Sequence, residues 1–260
     1  MQLSLSFEPS EIETVRTIVA KKLNDGRRLV HYRQQQNVDG LVPTIDDDAL
    51  WTAHIMCLLT TQQRSGPGSS INRLLDQRPF PLALSMCRKQ VDAQTYVFDL
   101  LSNAPGIRRT NRIAAAVQAN LRLLERGAWK DLRHWSERLL EQRCLPPDPS
   151  QRVLEEAAAA YMDQFAEFGS KQSRNFWQSL GLTRYVFVLD SRVLTWLRSN
   201  LNLPRGLLTN SGLSDPQYYQ FVSNMLFELC VQADVLPCIF DAAVFDSFDD
   251  AKEWGSSEIW

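Results

Sequence analysis

The sequence predicts an all-α fold. Apolar residues recur at three- and four-residue spacing in segment after segment, helix-start signals precede those segments, and no series of alternating, strand-like residues occurs. Ser10-Glu11-Ile12-Glu13 reads as a capping box, and Ile12, Val15, Ile18, Val19 and Leu23 then form a helical stripe that ends at Asn24-Asp25-Gly26. Aspartates 46–48 precede Ala49-Leu50-Trp51, and the apolar AHIMCLLTT continues as a buried helix ending near Gln62. The turn SGPGSS leads into a short helix, INRLLDQ, and further helical patterns cover residues 92–103, 110–126 and 129–143. Residues 144–150, CLPPDPS, make the clearest break and mark the expected boundary between two helical lobes of a single unit spanning residues 1–260. Beyond it come VLEEAAAAYMDQF, QSRNFWQSL and SRVLTWLRSNL. Asp215-Pro216 then opens a long helix, and a last short one covers residues 240–248.

Composition bounds the function. With 260 residues, 44% apolar and 22% charged, the chain can bury a sizeable core. No apolar run reaches the length of a membrane span, and MQLSLSFEPSE lacks the basic leader of a signal peptide. A cytoplasmic protein with no membrane partner is expected. The five cysteines, Cys57, Cys87, Cys144, Cys230 and Cys238, are odd in number and widely spaced, and His31, His54 and His134 are scattered. The chain is therefore expected to hold buried free thiols, with no metal and no cofactor. Phosphate-loop, dinucleotide and nucleophile-elbow motifs do not occur. A formal net charge of −2 lacks the basic footprint usual for a nucleic-acid binder, although local charge outweighs the total.

The informative chemistry lies in FGSKQSRNFWQSLGLTRYVFVLDSRVL, residues 168–194. Gly169-Ser170 separates two helical patterns by a very short turn. Backbone N–H groups there, at the positive end of the next helix, suit a phosphate. Lys171 sits in that first helical turn, where a cation is disfavoured and a neutral, nucleophilic amine is favoured. Taken alone, it also reads as a solvated surface lysine. Asp190 precedes Ser191-Arg192-Val193-Leu194 and would cap that helix. Together, the two helix starts can present an amine and a carboxylate to one cleft, a pairing suited to displacing a base at a sugar C1′.

This stretch resembles the helix-hairpin-helix DNA glycosylases, above all their 8-oxoguanine glycosylase/lyase branch of the archaeal type. The branch pattern G-x-K-E-A-S-x-F-L is met by Gly169, Lys171, Ser173 or its neighbour, and Phe176. Its L-D-x-H-[IV]-L pattern is met by Leu189, Asp190, Val193 and Leu194. More weakly, LLTTQ resembles the element whose glutamine, here Gln62, enters the duplex beside a flipped base. GIRRTNRIAAAV is similar to a helix that follows a short basic turn, and LPCIFDAAVF looks like the C-terminal L-D-x-x-[LI]-W element. Three positions depart from the family: Glu167 stands where a glycine is usual, Arg192 where a histidine is common, and the chain ends SSEIW instead of in a lysine tail.

The resemblance implies two helical lobes, a helix-hairpin-helix motif and a cleft between the lobes. It implies excision of a flipped-out modified base, with an oxidised purine of the 8-oxoguanine kind favoured, and strand cleavage at the abasic site through a lysine Schiff base. Lys171 and Asp190 would be catalytic. Gln62, Gln63, Arg109, Gly169, Ser170 and Arg192 would contact DNA, expected to be double-stranded and bound by a monomer. Simpler accounts stand beside these: polar helix ends for the glutamines, and a charged helix face for Arg108, Arg109 and Arg112. Trp177, Trp196, Phe240 and Phe245 lie at core spacing, and of these Phe245 is the expected pocket residue. Two other functions fit the same pattern: a defence enzyme that removes a hypermodified base from phage DNA, and a non-catalytic DNA-binding module.

Overall fold

Thirteen α-helices and no strand occur among the residues that the computed structural model describes, which are 6–63, 66, 68–203 and 206–248. The first half of the chain carries α1 (Pro9–Asn24), α2 (Arg28–Gln34), α3 (Asp47–Leu59), α4 (Ser70–Leu75), α5 (Leu84–Arg88), α6 (Ala93–Ser102) and α7 (Thr110–Leu123). The second half carries α8 (Trp129–Arg143), α9 (Arg152–Met162), α10 (Ser170–Ser179), α11 (Ser191–Asn200), α12 (Pro216–Ala233) and α13 (Pro237–Ser247). The chain termini that entered the sequence analysis, and parts of the SGPGSS turn, lie outside the described residues. No helix among the described residues is long and apolar enough to cross a membrane.

Short polar side chains start many of these helices by accepting orphan N–H groups. Asp46 takes Ala49 N at 2.8 Å, Ser69 takes Asn72 N at 3.0 Å, and Asp215 takes Gln217 N and Tyr218 N at 2.8 and 2.9 Å. The first helix begins earlier than Ser10-Glu13 suggests. Glu8 is its N-cap, and the Glu11 carboxylate accepts Glu8 N at 3.0 Å, because Pro9 already has the φ of a first helical residue. The third helix ends at Leu59, and Gln62 follows it in a left-handed conformation (φ 56°).

Two apolar cores organise the chain. One is built from α3 to α10, around Trp51, Phe165, Phe176 and Trp177; the other joins α1 and α2 to α11–α13, around Val15, Val30, Phe187, Tyr219 and Phe240. Residues 144–150 were the expected lobe boundary. They connect α8 and α9 within the first core, so their prolines break helices without separating lobes. The chain passes between cores at residues 182–187 instead. Trp177, Trp196 and Phe240 are core residues.

The crossing is held by buried polar groups. Glu155 of α9 accepts three consecutive backbone N–H groups, from Arg184, Tyr185 and Val186, at 2.8, 2.7 and 3.0 Å. Arg184 donates its guanidinium to the carbonyls of Asn37, Arg143 and Leu145. Gly181, which ends the turn after α10, has φ 76°, and a Cβ there would lie 2.8 Å from the Gln36 carbonyl oxygen, so glycine is required.

Burial pushes the Glu155 carboxyl up to about 7 against the opposing pull of these N–H groups. Glu155→Gln turns an NH2 toward at least one of the three buried donors. We expect it to lower unfolding free energy by about 2–4 kcal/mol at unchanged denaturant slope, measured by urea titration.

Candidate active site

α9, the turn at residues 163–169 and α10 form a helix-hairpin-helix. The turn is fixed from two sides. The Asn120 amide pairs with both backbone groups of Ala166, donating to its carbonyl at 3.0 Å and accepting its N–H at 2.7 Å, and Ser173 Oγ donates to Asp163 at 2.6 Å. Asn120 also meets the buried ring of His54 at 2.8 Å. Burial drives that imidazole down to about 3, so it stays neutral and structural.

No side chain caps α10 among the described residues, and a Cβ on its N-cap residue, Gly169, would meet nothing within 4 Å. The first amides of Ser170 and Lys171 are thereby left to an outside acceptor. Glu167 occupies the turn with φ 65°, a conformation easier for the glycine expected there. Its carboxylate does not stand alone: Arg109 reaches it at 2.6 Å and Arg112 at 2.7 Å. The anion at the hairpin is thus paired with two cations from the start of α7.

Lys171 and Asp190, 19 positions apart in sequence, converge. Lys171 Nζ lies 3.6 Å from Asp190 Oδ2, and the lysine side chain is 37% exposed. Asp190 both caps a helix and stands beside the lysine. Its Oδ1 caps α11 by accepting Arg192 N and Val193 N at 2.8 and 3.2 Å, while Oδ2 faces Lys171 and the Arg192 guanidinium. Burial acts to raise this carboxyl, but Lys171, Arg192 and the two backbone N–H groups outweigh it and hold it below the ordinary carboxylate range. Arg192 stacks its guanidinium on Phe245, 3.7 Å from the ring centroid.

These residues line a cleft of about 810 Å³ that runs from the hairpin to the second core. Its rim includes Gln62 and Gln63, which the structure distinguishes. Gln63 is engaged at both ends: Nε2 donates to Leu59 O at 2.6 Å and Oε1 accepts Arg108 N at 2.9 Å. Gln62 is exposed, and Arg108 donates to its backbone carbonyl at 2.8 Å. Of the sequence-selected residues, Gln62, Gln63, Gly169, Ser170, Lys171, Asp190, Arg192 and Phe245 all line the cleft, whereas Arg109 stands outside the lining, bound to Glu167.

Sequence reasoning missed Arg33, Asn175, Gln178 and Asp241, which also line the cleft. A carboxylate inside the apolar IFDAAVF was a legible signal for Asp241. Arg33 gave none, because α2 lacks a cap motif. Asp241 is buried, and that burial pushes its carboxyl up to about 7; Arg33 opposes the shift, Asp190 adds to it, and Lys171 and Arg192 oppose it.

No family model and no curated protein sequence matches the chain. Solved structures do. The 8-oxoguanine DNA glycosylase of Thermotoga maritima superimposes with a TM-score of 0.60 at 16% identity, covering 92% of this chain and 97% of that one. The 8-oxoguanine DNA glycosylase of Methanocaldococcus jannaschii gives 0.57 at 14% identity, covering 90% and 91%. The M. jannaschii 8-oxoguanine glycosylase/lyase in complex with a 15mer DNA containing 8-oxoguanine gives 0.58 at 13%, covering 91% and 96%. The chain has the all-α fold of these enzymes over nearly its whole length.

The Asp241 shift has a thermodynamic consequence. A carboxyl near 7 when folded and near 3.8 when unfolded binds more protons in the native state between those values. Stability is therefore lost as pH rises through that window, by up to roughly 1.4 kcal/mol per pH unit. Asp241→Asn, which removes the titration, should raise the melting temperature more at pH 8 than at pH 5, as read by calorimetry.

Proposed function

We propose that the protein is a DNA glycosylase with an associated abasic-site lyase activity, acting as a monomer on double-stranded DNA that carries an oxidised purine. The observation that carries this reading is the Lys171 amine 3.6 Å from the Asp190 carboxylate, at two helix starts facing one cleft, in a fold shared with solved 8-oxoguanine glycosylases. The backbone N–H groups of Ser170 and Lys171, beside Gly169, would hold a phosphate, and Gln62 would fill the stack left by the flipped nucleotide. The Arg192–Phe245 stack offers a flat wall to the extruded base.

In the reaction, the Lys171 amine, once its ammonium has released a proton to solvent, attacks C1′ as the glycosidic C–N bond breaks and its electron pair leaves with the base. The Asp190 carboxylate receives a proton from the attacking nitrogen and stabilises the positive charge developing on the sugar. Asp241, poised near neutrality by burial, is suited to carry a proton for the departing base. Opening of the sugar gives a Schiff base on Nζ, and loss of a C2′ proton expels the 3′ phosphate, nicking the strand.

Borohydride trapping on duplexes containing one oxidised purine tests the nucleophile. Lys171→Ala should give no trapped species, and its persistence would remove Lys171 from the role. Asp190→Asn keeps an oxygen to cap α11, so helicity should hold while base release slows about 100-fold or more. Retention of DNA by the wild type without base release would mark a binding module instead. At the hairpin, Glu167→Gly relieves the left-handed backbone and frees Arg109 and Arg112 for phosphates. The slope of log affinity against log salt should steepen by about one to two, and an unchanged slope would mean those arginines stay off the DNA.

A further inference from the structure

The turn that carries Gln62 is held from two sides. On one side, the Arg108 guanidinium donates to the Gln62 carbonyl at 2.8 Å, and Arg108 N donates to Gln63 Oε1 at 2.9 Å. On the other side, the hold comes from α10, the helix of Lys171. Gln172, the residue after the lysine, reaches Thr61, the residue before Gln62, with Nε2 donating to Thr61 Oγ1 at 2.8 Å. Between these holds Gln62 keeps a left-handed backbone (φ 56°), uncommon for a residue other than glycine, and its side chain is exposed.

The Gln172–Thr61 bond has one polarity. Thr61 Oγ1 gives its proton to the Cys57 carbonyl at 2.9 Å, so toward Gln172 it can only accept. The Gln172 amide therefore turns its NH2 to Thr61, which directs Oε1 at Asn175 Nδ2, 3.2 Å away. Asn175 Nδ2 also reaches Cys57 Sγ at 3.6 Å, and that thiol donates to the Gln172 carbonyl at 3.7 Å. The four side chains thus close a ring between the end of α3 and the start of α10. Gln172 is buried, and packing alone does not require an amide there, since an apolar side chain of similar length fills the same space without needing partners. What the amide adds is a fixed register between the two elements.

We infer that Gln172 is a positioning residue, which acts through Thr61 to set the placement of the stack-filling Gln62 relative to the Lys171 amine. This rests on the glycosylase reading above and adds to it a coupling between two groups that meet different parts of the DNA. The gap left in a duplex and the C1′ of the nucleotide that left it have a defined separation. A side chain entering the gap and an amine attacking C1′ therefore have to keep one spacing. A bond between the sequence neighbours of the two residues holds that spacing directly. Misplacement by about 1 Å at a reacting centre can cost roughly 100-fold in rate, so a loosened register is expected to be felt in the chemistry.

Single-turnover rates on two substrates test the inference: a duplex containing one oxidised purine, and a single-stranded oligonucleotide holding an abasic site. The single strand has no base to release and no stack to fill, so its cleavage reports the lysine chemistry alone. Gln172→Met and Thr61→Val should each slow base release from the duplex about ten-fold or more, with a clearly smaller loss on the abasic strand. Thr61→Ser keeps the hydroxyl and should behave like the wild type, so the two Thr61 variants carry the test if Gln172→Met fails to fold. A double-mutant cycle with Gln62→Ala decides the route of the effect. Gln62→Ala should itself slow base release, and in its background Gln172→Met or Thr61→Val should cost no more than about a further two-fold. A full loss that persists in the Gln62→Ala background, equal losses on the two substrates, or a Gln62→Ala protein as fast as the wild type overturns the inference and leaves the glycosylase reading intact. If the wild type neither releases the base nor cleaves the abasic strand, that reading falls and the inference with it.

Discussion

The hold of Glu155 on the backbone of residues 184–186 is the constraint on which the rest of the molecule depends. The lysine belongs to a helix packed in one core and the aspartate to a helix packed in the other. A 3.6 Å approach between them therefore needs the connecting strand of chain to follow one path. Glu155 sets the beginning of that path. Tyr219 sets its end, accepting Leu189 N and donating to Phe187 O, both at 2.9 Å. Arg184 ties the middle to three carbonyls from elsewhere in the chain. Such a network in a low-dielectric interior is rigid when fully satisfied and costly when any member is removed, which is what a site built across two packing units requires.

Charge at the proposed nucleic-acid face is arranged locally, and the near-neutral total conceals it. The hairpin anion, Glu167, is matched by two arginines, and a third, Arg108, braces the rim beside Gln62. On the other side of the hairpin, Lys171 and Arg192 share the single carboxylate of Asp190. Each local group carries an excess cation, so a phosphate strand approaching the hairpin meets positive charge on both flanks even though the chain as a whole is slightly acidic.

Much of the fold was legible because helices announce themselves locally. Caps at Asp46, Asp190 and Asp215 and the apolar stripes located most elements to within a few residues. What was not legible was relational. Residues 28–39 carry no cap and no clean stripe, yet they supply Arg33 to the cleft and Asn37 to the junction between cores. Their role comes from packing against α10 and α13, about 150 and 200 positions away in sequence. The proline-rich 144–150 looked like a boundary because prolines break helices, but a broken helix does not divide a core. Lys171 and Asp190 stood out in the sequence because each sits at a helix start, a local signal. That the Gln63 side chain is held at both ends was decided in part by a backbone N–H 45 residues away.

The two carboxyl groups of the cleft show how one fold sets opposite protonation states within a single site. Asp190 lies at a helix N-terminus with two backbone N–H groups on one oxygen and two cations on the other, so every neighbour favours the anion and burial is outweighed. Asp241 lies in the interior of α13, where backbone N–H groups are already used within the helix and the charge of Asp190 adds to the upward push of burial. Burial then wins, and the proton stays on up to neutrality. The anion of one residue helps keep the other protonated, so the pair is linked: neutralising Asp190 would make Asp241 a stronger acid. A site with one carboxyl charged and another protonated at the same pH can steady a cationic sugar and supply a proton to a leaving base, and it obtains the two states from burial, neighbouring charges and placement relative to helix ends.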